Sequence, residues 1–251
     1  SGYFDDALVD QVSEDLSGAD VDGILPVIQE QVPLFNPGQL LSAPSVTLFA
    51  PGPQYTEYTK LTTTEGKEVS IEDLASTEGD TRVFLDKNTA EDLKAEIGDR
   101  IYLYVGAEPE PLKVAGVVEG ASSVSFSFVL MPLDKAQSIL NKPGQINAIY
   151  ISNTGGALGG ARFSHDIEER LKAPLEEIGF QIETVKKDTL DGADMAGAVI
   201  TSVFVLFGLF SVAAGVLLIF LIFMMLAAAR KSEMGMARAV GTKRNQLIQM
   251  F

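Results

Sequence analysis

The spacing of apolar positions divides the chain near residue 195. Before that point apolar residues recur at short, changing periods; beyond it they run together. Between Asp194 and Arg230 lie 35 residues without a charged side chain. As a helix they span roughly 52 Å, against about 30 Å for the hydrocarbon core of a bilayer, so the helix is expected to project beyond the membrane. The most apolar stretch, 203–226, is where the bilayer is placed. Residues 203–222 include 15 Leu, Ile, Phe or Val, whose insertion contributes roughly −5 to −9 kcal/mol. Residues 190–202 are expected to form a stalk that continues the membrane helix outward.

The patterns before this helix are shorter. Phe4, Leu8, Val12 and Leu16 stand at i+4 spacing ahead of Gly18, predicting an amphipathic helix over 4–16 with a glycine stop. Strands are predicted over 23–32 and 45–49, in a region where Pro33, Pro37, Pro44, Pro51 and Pro53 mark turns or edges. The Thr- and Glu-rich stretch 54–80 is expected to loop out, with at most short strands. A strand over 82–85 leads to a helix ending before Gly98, for which Asn88 and Glu91 offer a capping box. Strands over 100–105 and 112–118 make a hairpin-like pair around Glu108 to Pro111. Alternation of serine with Phe126, Phe128 and Leu130 predicts a half-buried strand over 124–131. A helix from Pro132 to Leu140, a strand over 146–151, a helix over 162–178 and a last strand over 180–185 complete the sequence. Strands and helices mix without strict alternation, so the outer part reads as an α+β domain on a long transmembrane α-helix. The expected division is a domain over 1–189, stalk and membrane helix over 190–229, and a terminal segment over 230–251.

Charge orients the helix. Residues 230–251 carry five Lys or Arg against one Glu, a net +4, which leaves −19 on residues 1–194 of a chain whose formal charge is −15. The positive-inside rule therefore places 230–244 in the cytoplasm and 1–194 outside. An acidic front of this size excludes a nucleic-acid footprint, and its plainest meaning is solubility. The absence of cysteine excludes disulfides, thiolate nucleophiles and cysteine-based zinc sites.

Small residues mark two helix faces. At 100° per residue Ala193, Gly197, Thr201, Gly208, Ser211 and Gly215 share a stripe, interrupted by Phe204. Such stripes let helix backbones approach closely in lipid, so Gly197, Thr201, Gly208, Ser211 and Gly215 are candidate helix-packing residues. Beyond the membrane, Ala228, Ser232, Gly235 and Ala239 form a second small face with charged flanks, suited to lying in another protein's groove. Gly235 costs about 1 kcal/mol relative to Ala inside a helix, which asks for a packing reason. Gly241 reads as a helix stop and Thr242 as the N-cap of the next helix. That helix turns apolar at Leu247 and is expected to begin another membrane span beyond Phe251.

Other constellations carry ordinary readings. Ser164, His165 and Asp166 hold triad residue types, but neighbours on a helix point about 100° apart and cannot form the relay. The glycine run 155–160 lacks the Gly-Lys-Ser/Thr of a phosphate loop and reads as a flexible loop. Glu65, Glu68, Glu72 and Asp73 lack calcium-loop spacing and read as a solvated face. Lys186, Lys187 and Asp188 read as surface charges. No catalytic or metal-binding residues are expected.

The run 230–244, RKSEMGMARAVGTKR, resembles the signature that follows the second membrane helix in FtsX-like permeases of ABC transporters. Glu233, Met234, Gly235, Arg238, Ala239, Val240 and Gly241 match it, and Thr242 stands where Ala is usual. The outer part is similar to the MacB-like extracytoplasmic domain of that family, through 83–93 (VFLDKNTAEDL), 97–101 (IGDRI), 114–118 (VAGVV), 129–134 (VLMPLD) and 146–149 (INAI). The two likenesses cover about residues 83–251. They imply that Ser232, Glu233, Met234, Gly235, Arg238, Ala239 and Gly241 lie on a coupling helix that contacts a cytoplasmic ATPase. They also imply a non-catalytic permease subunit, a second permease copy or paralogue, a multi-pass full-length protein, and ATP bound by the ATPase rather than by this chain. The other reading of the same residues is a membrane-anchored receptor, adhesion or scaffold module without an ATPase.

Overall fold

A computed structural model describes residues 2–75, 80–106, 108–119, 127–155, 159–176, 180, 182–239 and 241. The chain forms two compact units, Ser1–Thr184 and Val185–Phe251.

The first unit is built on a sheet that closes on itself. Strand β1 (Phe4–Asp5) and helix α1 (Leu8–Asp15) precede the long hairpin β2 (Val21–Asn36) and β3 (Leu41–Pro51). Short pieces follow: α2 (Tyr55–Tyr58), β4 (Leu61–Thr63), β5 (Glu68–Val69) and a 3-10 turn at Ile71–Leu74. Then come β6 (Thr81–Asp86), α3 (Lys87–Leu93), β7 (Arg100–Tyr104) and β8 (Pro109–Glu119). The unit ends with β9 (Phe128–Leu130), α4 (Leu133–Ile139), β10 (Gln145–Ile146), β11 (Ala148–Asn153) and α5 (Ser164–Glu176). β3 and β9 run parallel, as do β6 and β8. β2 pairs antiparallel with β3, β9 with β6, and β8 with β7. β7 returns to β2 through Leu34↔Leu103 and Phe35↔Tyr102. Six strands thus form a ring, with β11 and the β4–β5 pair as outer extensions.

Alternation sends successive side chains to opposite faces of these strands. Val83 and Leu85 of β6 enter one core cluster with Leu34, Leu48, Leu103 and Val129. Phe84 enters a second, with Leu25, Tyr55, Leu61 and Leu130. A third, smaller cluster joins Val12 and Leu16 to Ile167 and Leu171 of α5.

Several sequence expectations need correction. Helix 4–16 starts only at Leu8, because Phe4 and Asp5 pair with Ile146 and Gln145. The cap of α3 is Asp86 rather than Asn88: its carboxylate accepts from the N–H groups of Asn88 and Thr89. β9 is buried on both faces, not half-buried, because it lies between β3 and β6; residues 124–126 of that expected strand lie outside the described residues. Pro33 and Pro44 fall inside the long strands and not at their ends. They sit where the β2–β3 register shifts, between Val32↔Val46 and Leu34↔Ala43, a bulge that needs no donor from either. The expected strand 146–151 breaks at Asn147. Its side chain takes over the pairing, accepting from Gln29 N–H at 2.8 Å and donating to Gln29 carbonyl at 2.9 Å. No strand forms at 182–184, and the following helix starts at Val185.

Candidate functional site

The second unit is a helix, α6 (Val185–Ala229), followed by α7 (Lys231–Ala239). α6 holds 45 residues, about 67 Å of helix. Its segment Gly197–Ala229 has a mean hydropathy of 2.8 and buries none of its most apolar window within this chain. Apolar surface so exposed needs lipid or protein around it, and by length and composition this segment is a candidate membrane span. Polar side chains near the start of that segment are satisfied locally: Thr201 Oγ1 donates to the Gly197 carbonyl at 2.9 Å, and Ser202 Oγ to that of Ala198 at 2.8 Å. A hydroxyl bonded back to its own helix can enter hydrocarbon without an orphaned donor.

Gly197, Thr201, Gly208, Ser211 and Gly215 all lie exposed on α6. A Cβ built at any of the three glycines meets nothing within 4 Å, so among the described residues nothing fills the space at them. At the C-terminal end of α6, Arg230 alone separates the two helices, and its N–H bonds the Leu226 carbonyl at 3.1 Å. Ser232, Gly235 and Ala239 of α7 are exposed at i, i+3 and i+7, on one face. A Cβ at Gly235 also meets open space. Glu233, Met234 and Arg238 belong to the same helix, but their side chains lie outside the described residues. Gly241 has φ +94°, the left-handed conformation that ends a helix after its C-cap. Val240 and the expected N-cap Thr242 lie outside the described residues, as do 243–251.

The constellations of the first unit prove structural where they are described. Ser164 Oγ meets Asn153 Nδ2 at 3.2 Å, while His165 Nε2 lies 3.7 Å from Glu169. Glu68 pairs with Lys60 at 3.3 Å, and Asp73 accepts from the Ser70 N–H at 2.8 Å. Among the described residues no group of His, Asp and Glu is placed to hold a metal ion. The glycine run is set by close backbone approach at its last member: a Cβ on Gly160 would stand 2.9 Å from the Asn153 carbonyl oxygen. Residues 156–158 between lie outside the described residues. Lys186, Lys187 and Asp188 belong to the first turn of α6.

Two features have no counterpart in the sequence reading. Asp86 is one. The other surrounds the start of the chain. Tyr3 hydroxyl donates to Glu30 at 2.5 Å, Lys142 Nζ lies 5.0 Å from the Tyr3 ring centroid, and Phe4 meets Phe180 edge to face. Burial first, then the bond to Glu30 and its charge, push the Tyr3 hydroxyl well above the usual phenol range. Tyr150, which bonds Gln29, is also raised, by burial and then by the charge of Glu183. Tyr55 is raised chiefly by burial. Aromatic pairs and long-range hydrogen bonds of this kind leave no periodic trace in a sequence.

The family model of the MacB-like periplasmic core domain matches residues 1–158. No curated protein sequence matches the chain. Among solved structures, the periplasmic region of MacB from Actinobacillus actinomycetemcomitans aligns at 17% identity, covering 68% of this chain and 73% of that one, with a TM-score of 0.46. The extracellular domain of the noncanonic ABC-type transporter YknZ from Gram-positive bacteria aligns at 14% identity over 71% of this chain and 86% of that one, with a TM-score of 0.48.

Proposed function

The chain belongs to the MacB-like periplasmic core domain family of ABC-type transporter permeases, and on that premise we propose that it is a non-catalytic permease subunit working as a mechanical transmitter. ATP binds and is hydrolysed on a partner ATPase in the cytoplasm. Closure of the ATPase dimer pushes on the face of α7 formed by Ser232, Gly235 and Ala239, with Glu233, Met234 and Arg238 beside it and Gly241 ending the element. α6 carries the displacement across the membrane to the extracytoplasmic domain, which acts in export or extraction of a substrate. A second permease copy or paralogue packs in lipid against the stripe of Gly197, Thr201, Gly208, Ser211 and Gly215.

The observation that carries this reading is the unbroken run of α6. It starts directly after the domain unit ends, and only Arg230 lies between it and α7. At about 67 Å it is more than twice the thickness of a bilayer core. An anchor needs only about 20 residues, so the excess length asks for another role. The open small face of α7 supports the inner contact, since Gly235 weakens the helix by about 1 kcal/mol and none of the described residues uses the space it leaves.

The test is the double substitution Gly235→Leu with Ala239→Leu in the membrane-embedded protein, co-expressed with its ATPase. Leu is a better helix former than Gly, so α7 persists while its small face is filled. The expected result is at least a tenfold loss of ATPase co-purification, by the factor of ten that about 1.4 kcal/mol of lost contact gives, together with loss of ATP-dependent transport. Unchanged association and transport would refute the coupling role of α7.

A further inference from the structure

Charge is unevenly spread over the first unit. Residues 1–194 carry a net −19, and the helices display it: Asp10 and Glu14 on α1, Glu91 and Asp92 on α3 and Glu169 on α5 are all exposed. Residues 23–56, which include nearly all of β2 and the whole of β3, contain a single charged side chain, Glu30. Its carboxylate accepts from the Tyr3 hydroxyl. Residues 143–161, which include β11, contain none.

Burial does not explain this. Gln29 and Gln31 of β2 and Ser42 and Ser45 of β3 are exposed and still uncharged. On one face of the hairpin Gln31 lies opposite Thr47, and Gln29 opposite Phe49. Gln31 Nε2 donates to Thr47 Oγ1 at 2.8 Å, and its Oε1 accepts from Ser45 Oγ at 2.9 Å. Tyr150 of β11 bonds Gln29 and meets the Phe49 ring with centroids 5.8 Å apart. Beyond the bulge, Leu34 and Ala43 both enter the main core, which turns Ser42 outward.

We infer that this charge-free face of β2 and β3 docks against the same face of a second copy of the chain. The inference rests on the second permease of the proposed function being a copy rather than a paralogue. In a two-fold contact a patch meets itself, so a group near the axis faces its own copy. A carboxylate there meets a carboxylate, and both only accept. A glutamine amide or a serine hydroxyl donates as well as accepts, so it can bond its own copy. On a domain of this charge, self-contact through β2 and β3 adds no like-charge pair at the centre. About ten paired residues long and about three strands wide, the face covers roughly 30 by 14 Å. That is about 800 Å² over two copies, the size of a weak contact. Chains held in one membrane need no more, because confinement raises their effective concentration.

Disulfide trapping in the membrane-embedded chain tests this, since the chain contains no cysteine. Single cysteines at Gln29, Gln31, Ser42 and Ser45 span the face. At least one is expected to cross-link to its own copy under mild oxidation, well above Asp92→Cys and Glu169→Cys. Glutamate at two of the other three positions should lower that yield by about fivefold or more, as close like charges do, and alanine at the same two should lower it far less. Gly208→Cys on α6 reports separately on whether a second copy lies alongside. Cross-linking at Gly208 with none on the face would overturn the docking face and leave the second copy standing. No cross-linking at either would overturn both. Face yields equal to those at Asp92 and Glu169, or unmoved by glutamate, would overturn the docking face as random collision.

Discussion

Asp86 shows how much one side chain fixes in this domain. It ends β6, caps α3 and is 6% exposed. Its Oδ2 accepts from Asn88 N–H at 2.9 Å, and its Oδ1 from Thr89 N–H at 3.2 Å and from Phe128 N–H at 2.8 Å. The last of these joins β9 to a helix cap 42 residues away. Asp86→Ala removes an N-cap and the charged acceptor that joins β9 to it, a loss of about 2–4 kcal/mol. Urea unfolding should show that loss, and should show less than about 0.5 kcal/mol for Asn88→Ala or Glu91→Ala, typical of positions away from such features. The spacing of Asn88 and Glu91 pointed to a cap two residues further along than the one that forms. Local spacing misses Asp86 because one of its three partners, the Phe128 amide, is distant in sequence. Asn147 is similar, since nothing in its neighbourhood announces that its side chain replaces a backbone pair with Gln29.

At the scale of elements, legibility followed the range of the forces involved. α6 was plain because insertion depends on composition summed along one segment. Its start was less so: residues 185–194 carry no apolar period, and the helix begins at Val185, earlier than the expected 190. The same sum makes a prediction. Each Lys at the centre of the span costs about 2.5–3.5 kcal/mol, against the roughly −5 to −9 kcal/mol contributed by its apolar residues. Leu217→Lys alone should leave the chain membrane-integrated and resistant to alkaline extraction. Lys at Val212, Val216 and Ile219 together should release it. Release by the single substitution, or retention of the triple one, would contradict the placement of the bilayer. β9 was misjudged for the opposite reason. Alternating serine suggested one wet face, but its surroundings come from β3 and β6, which no local pattern reveals.

The whole molecule combines an acidic domain, a long helix and a basic end, and that order was readable from charge and hydropathy alone. The mixed α+β class and the MacB-like likeness were readable as well, the latter from short words such as 83–93 and 129–134. Closure of the ring was not, because the parallel pairs β3–β9 and β6–β8 and the return of β7 to β2 join segments separated by helices and loops. Nor was the edge-to-face contact of Phe4 with Phe180, 176 positions apart. What the fold adds to the sequence is a closed sheet in the first unit and, in the second, an uninterrupted 45-residue helix followed by a small-faced one.

The chain contains no cysteine, so two can be introduced for spin labels without background. The most direct test of transmission is the distance between labels at Gln39, on the β2–β3 turn, and Met195, on α6, measured by double electron–electron resonance with the ATPase bound. The account predicts that trapping the ATPase in its ATP-bound state shifts the distance distribution, and that Gly235→Leu with Ala239→Leu abolishes the shift. Identical distributions with and without ATP in the wild-type chain would contradict it.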